Sequence, residues 1–200
     1  PLACPAIPAL RPPFWLQQRK LLERGRKMAE LPPAKRARVD DEKAALVARL
    51  LAAKEASGKS FDEIAAALGL TNAYTANLFF NQAQLKPGTS EKLTAIVPGI
   101  SPEDLRAMQR PPMRGFDPAI LQEPNVYRTY EAVTHYGEAI KALVNEQCGD
   151  GIMSAIDFYL DVGTTTGKKG EKRVVITMNG KFLPHIEQAA ADNTVPGPRD

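Results

Sequence analysis

From Asp41 onward the apolar residues recur with a helical period. Leu46, Val47, Leu50 and Leu51 stand at i, i+1, i+4 and i+5, one stripe on a helix. Ser60-Phe61-Asp62-Glu63 reads as a capping box, in which the Ser60 hydroxyl accepts a first-turn amide hydrogen and Glu63 reaches back. The helix it opens runs through Leu68 and stops at Gly69, which can take the left-handed conformation that ends many helices. Thr71 can cap a following helix, roughly Asn72 to Gln84, and the pair joined through Gly69-Leu70-Thr71 forms a helix-turn-helix pattern. Two further short helices are predicted. One follows Ser90; the other follows Ser101-Pro102, where Ser caps and Pro takes the first helical position.

Past Arg110-Pro111-Pro112-Met113-Arg114-Gly115, a linker by its breakers, the period changes. One long helix fits Tyr127 to about Gln147, with Tyr127, Tyr130, Val133, Thr134, Ile140 and Val144 near one face, and Gly149-Asp150-Gly151 ends it. Two alternating strands follow. Ile156, Phe158, Leu160 and Val162 interleave with Asp157, Tyr159 and Asp161; Val174, Ile176 and Met178 interleave with Val175 and Thr177. Asn179-Gly180 reads as a type I′ turn leading into Lys181-Phe182-Leu183. The fold class is α+β: an N-terminal helical bundle, then a long helix with a small antiparallel sheet. The expected domains are a helical one at 41–110, a linker at 111–126, a second domain at 127–186 and a tail at 187–200. A unit of one helix and a small sheet buries little core, so oligomerisation through the sheet is expected.

Charge divides the chain differently. Of its 200 residues, the first 40 hold nine Lys/Arg against three Asp/Glu and seven of the 17 prolines, and read as a disordered leader. Met28 is a candidate start. A mitochondrial transit peptide would share the scarcity of acids, but residues 1–27 contain no Ser or Thr, which such peptides favour. Lys35-Arg36-Ala37-Arg38 reads as a solvated basic tail, with a nuclear-import signal as the other reading. The remainder is mildly acidic, and between Phe61 and Leu85 there is no Lys or Arg. The helix-turn-helix therefore lacks the cations that phosphates require, and a packing role is expected in place of nucleic-acid binding. No apolar run approaches the roughly 18 residues of a membrane span. Cys4, Cys148, His135 and His185 are too few for a disulfide framework or a metal site, which suits a reducing, cytoplasmic compartment.

Three residues stand out for chemistry. Arg128 and Glu131 are three apart and share a helix face, the spacing of an ordinary surface ion pair. Ser154 is a small polar residue in the apolar run Ile152-Met153-Ser154-Ala155-Ile156; a capping or packing role fits it, and no His is spaced to make it a nucleophile. Cys148 is expected to be buried and inert, His135 and His185 to be solvated, and Lys181 to be structural.

Tyr127-Arg128-x-x-Glu131, Tyr136-Gly137, Lys141, Glu146, the run from Gly149 to Phe158, and Gly180-Lys181-Phe182-Leu183-Pro184 together resemble the signature of the cyanate hydratase (cyanase) family. The resemblance spans about residues 41 to 185 and is strong after Tyr127. It implies a lyase that decomposes cyanate with bicarbonate as co-substrate, without metal or organic cofactor, for detoxification and nitrogen supply. It further implies catalytic roles for Arg128, Glu131 and Ser154. The implied assembly is a homodecamer of five dimers, with intertwined C-terminal domains and active sites between subunits. Two other readings compete. A transcription regulator would pair the helix-turn-helix with a ligand-sensing sheet, and the missing cations oppose it. An inactive scaffold would have no use for an intact Arg-Glu-Ser set.

Overall fold

The structure, a computed structural model, describes residues 33–115 and 117–193. Most of the leader, Cys4 and the last part of the tail lie outside these. The chain divides into two units, with the boundary at Ala48 and Arg49 inside the first helix, α1 (Pro33–Ala56). That helix starts ahead of Asp41, with the good helix formers Ala, Lys and Arg behind its opening proline. Leu46 and Leu50 of the predicted stripe are buried, and Val47 and Leu51 are half-buried.

The second unit begins with four short helices after α1: α2 (Phe61–Leu68), α3 (Asn72–Phe79), α4 (Pro87–Ile96) and α5 (Pro102–Met108). The local signals behave as the sequence predicts. Ser60 and Glu63 form the reciprocal capping box, and Gly69 is left-handed with φ 71°. Thr71 and Ser101 accept the amides of Tyr74 and Asp104. Two boundaries differ. The α3 helix stops at Phe79 because Asn81 turns left-handed at φ 49°, a conformation Asn tolerates better than most residues. The α4 helix begins at Pro87, not after Ser90, because proline fits the first helical position; Ser90 lies inside it, buried.

The core of this unit lies entirely in its helical part. Leu50, Ile64, Leu78, Phe79, Leu85, Leu93, Val97 and Met108 are essentially solvent-free, each contributing roughly 1.5–3 kcal/mol of burial. Phe61 meets Phe79 edge-on at 5.6 Å. Arg49 on α1 forks onto Asp104 on α5, with Nη2 at 2.6 Å and Nε at 3.1 Å from its two carboxylate oxygens.

A 3-10 turn (Pro118–Gln122) leads into α6 (Pro124–His135), α7 (Gly137–Cys148) and a two-stranded antiparallel sheet of β1 (Gly151–Thr166) and β2 (Lys172–Pro184). The expected long helix is thus two. Thr134 turns its hydroxyl back onto the carbonyls of Tyr130 and Glu131, which bends helices, and Gly137 follows directly on Tyr136, which caps both. The hairpin also turns elsewhere than expected. The turn is Gly167-Lys168-Lys169-Gly170-Glu171, closed by the Gly167 amide on the Glu171 carbonyl at 2.7 Å. Asn179 and Gly180 sit inside β2, opposite Tyr159 and Phe158.

Two side-chain amides tie the hairpin and the linker to the helices. Asn72, the first residue of α3, donates to the Val162 carbonyl at 2.7 Å and accepts the Val162 amide at 3.1 Å, pairing with the edge of β1 as a strand would. Gln82 makes the same two-way pairing with the backbone of Gly115. The helix-turn-helix thus packs against the hairpin through α3.

Candidate active site

The α6 helix opens on Glu123-Pro124. The Glu123 carboxylate accepts the Val126 amide at 3.0 Å, and the proline takes the first helical position. This fixes where Arg128 and Glu131 emerge. They pair as their spacing predicts, Arg128 Nη1 donating to Glu131 Oε2 at 2.5 Å. The Arg128 side chain is 72% exposed and that of Glu131 30%. The hydrogen bond that Arg128 donates to Glu131, and then the Glu131 charge, hold the guanidinium above its ordinary basicity, so it stays cationic. Its Nε and Nη2 donors have no partner among the described residues, leaving one edge of the fork open.

Ser154 sits in a distortion of the hairpin. The ladder pairs Met153 with Phe182 and then Phe158 with Gly180, so four residues of β1, Ser154 to Asp157, oppose Lys181 alone. Such a bulge re-aims side chains that a regular strand would send to alternate faces. Ser154 is the one buried polar side chain in the hairpin among the described residues, at 7% exposure. Its Oγ accepts the amides of Ile156 at 3.1 Å and Asp157 at 3.0 Å. A hydroxyl has two lone pairs and one hydrogen; with both lone pairs engaged, it can only donate to a further partner. A serine read as capping or packing is therefore also a fixed donor.

Other contacts fasten the bulge. Lys141 on α7 reaches Asp150 at 3.2 Å and the Gly151 carbonyl at 3.5 Å, pinning the start of β1. The His185 amide donates to the Asp150 carbonyl at 3.0 Å, and Lys181 stands 4.0 Å from Asp157 across the bulge. His135 and His185 are exposed, as expected. Cys148 departs from expectation: it is exposed, because α7 buries none of its residues within the chain.

Within one chain, Arg128 and Glu131 are brought together, and Ser154 is hydrogen-bonded to neither. Gly180, expected in a turn, lies inside β2 beside the bulge, and a glycine inside a strand-like run is itself a bulge signal. Among the described residues, no helix is long and apolar enough to cross a membrane, and no cluster of three or more His, Cys, Asp or Glu could hold a metal ion.

Residues 118–187, which contain all three candidates, match the family described as "Cyanate lyase C-terminal domain", and this places the chain among lyases. The relatives extend the match to the helical half. The cyanate hydratase of Phaeodactylum tricornutum is 62% identical over 155 residues, covering 77% of this chain and 80% of that protein. That of Arabidopsis thaliana is 53% identical over 140 residues, covering 70% and 83%. The crystal structure of cyanase from T. urticae superposes with a TM-score of 0.62 at 28% identity, over 70% of this chain and 97% of that one. The chain belongs to the cyanate hydratase family, and it is an enzyme that degrades cyanate.

Proposed function

We propose that the chain decomposes cyanate with bicarbonate as co-substrate, at a site built from Arg128, Glu131 and Ser154 of neighbouring protomers and without metal or organic cofactor. A bicarbonate oxygen bonds to the cyanate carbon. The C–O bond on the bicarbonate side of the adduct then breaks, releasing carbon dioxide. The bicarbonate hydroxyl proton passes to nitrogen, and with one further proton taken up there this leaves carbamate; another proton taken up splits carbamate into ammonia and a second carbon dioxide.

The obstacle is electrostatic. Two monoanions 4 Å apart repel by about 4 kcal/mol at an effective dielectric near 20. The open edge of the Arg128 fork suits a carboxylate-like partner, and a planar guanidinium offers it two parallel donors. Glu131 holds the other edge and orients the fork. The Ser154 hydroxyl, limited to donating by its two amide partners, stabilises an oxygen of the adduct.

The observation that carries this reading is the Arg128 guanidinium, lying over the Tyr127 ring, held on one edge by Glu131 and without a hydrogen-bond partner on the other among the described residues. Assembly supplies the rest. Tyr127, Tyr130, Tyr136, Ile140, Leu143, Ile156, Tyr159, Val174 and Ile176 are all at least 42% exposed, an apolar surface beyond what a soluble monomer leaves open. A homodecamer of five dimers with intertwined C-terminal domains covers it and brings Ser154 to Arg128. Such an enzyme removes cyanate in the cytoplasm and yields ammonia for nitrogen supply.

Ammonia release from cyanate in buffer freed of bicarbonate tests the chemistry. Release should stop and return when bicarbonate is added back; undiminished release would mean that water, not bicarbonate, attacks cyanate.

A further inference from the structure

Gly180 lies at the far rim of the bulge, paired with Phe158, just where four residues of β1 crowd against one of β2. A Cβ placed on it would overlap the Ser154 carbonyl oxygen, lie 2.5 Å from Met153 Cγ and 3.1 Å from Phe158 Cδ2. A side-chain methylene such as that of Met153 can swing away. The Ser154 carbonyl is backbone, so it can yield only by moving the bulge. The same bulge carries the amides of Ile156 and Asp157 that aim the Ser154 hydroxyl.

We propose that Gly180 is a positioning residue for the reaction. By having no side chain it lets the Ser154 carbonyl close onto β2, and this fixes the direction in which the Ser154 hydroxyl donates. The inference rests on the role given to Ser154 above. It assigns to the Asn179-Gly180 pair a function that has nothing to do with turning the chain. Gly163 on β1 provides the contrast, since no atom lies within 4 Å of where its Cβ would stand.

The test compares Gly180→Ala, Gly163→Ala and Ser154→Ala as full-length proteins, with steady-state kinetics, circular dichroism and particle mass. Gly180→Ala should lower kcat on the order of 10- to 100-fold, as misplacement by an ångström does, with KM changed less than about threefold and the particle mass intact. Gly163→Ala should turn over normally. A Gly180→Ala protein with wild-type kcat, alongside a Ser154→Ala protein that is inactive, overturns the inference and leaves the Ser154 role standing. A Ser154→Ala protein with wild-type kcat removes that role, and the inference with it. If Gly180→Ala does not assemble, the double variant Gly180→Ala with Met153→Ala removes the side-chain overlap and keeps the one with the Ser154 carbonyl. It should assemble and stay slow, and normal turnover in it would overturn the inference.

Discussion

In the proposed reaction Arg128 and Ser154 handle charge in complementary ways, and each has its direction set by a neighbour. Arg128 is aimed by a carboxylate three residues on; Ser154 is aimed by two amides of its own bulge. Replacing Arg128 with Lys keeps the charge but loses the planar fork. Turnover of Arg128→Lys should fall on the order of 100-fold or more while the particle mass is unchanged, and Ser154→Ala should lose a similar factor, both read by ammonia release. Near-normal rates in either would remove that side chain from the chemistry. The pairing of Arg128 with Glu131 was legible from their i, i+3 spacing. The donor character of Ser154 was not, because its partners are main-chain amides that only the bulge brings to it. The identity of Gly180 was misleading for the same reason: Asn-Gly favours a tight turn locally, and the cross-strand approach to Ser154 overrode that preference.

The helices followed their local signals closely wherever a cap or a proline marked an end. Ser60 with Glu63, Gly69, Thr71 and Ser101 act as the sequence predicts, since each satisfies groups within one turn of itself. Boundaries went astray where the deciding residue has no strong preference alone, as at Asn81, or where two mild effects add, as with Thr134 and Gly137. The link between α1 and α5 depends on ionisation. The hydrogen bonds from Arg49, and to a lesser degree from Ser101, hold the Asp104 carboxyl below its ordinary range, and Ser60 does the same for Glu63. A carboxyl whose folded pKa is depressed adds stability above its unfolded value and loses it as pH falls through the folded one. Thermal unfolding should therefore show a melting temperature that declines as pH drops below about 4, and Asp104→Asn should flatten that decline. An unchanged slope in Asp104→Asn would mean the ion pair carries none of the pH dependence.

At the scale of the whole molecule, burial among the described residues is uneven. The buried apolar side chains belong to α1 through α5 and the short connections between them, while α6, α7 and β2 bury nothing among the described residues. So much open apolar surface supports the proposed assembly, which the small size of the unit of helices and hairpin led us to expect. In the proposed assembly, which surfaces meet and in how many copies is not written in local periodicity, because the partner of each exposed side chain would be another copy of the same residue set. The Asn72 amide is engaged with Val162 and Asp62, so the first position of α3 packs against the hairpin. If active sites form between protomers, Arg128 and Ser154 reach one substrate from different chains. Co-expression of the two inactive proteins, Arg128→Lys and Ser154→Ala, then tests this arrangement. Mixed particles should recover roughly a quarter of wild-type turnover, since random assembly leaves that share of sites with both residues intact. Mixed particles as inactive as their parents would place both residues on one chain and contradict the account.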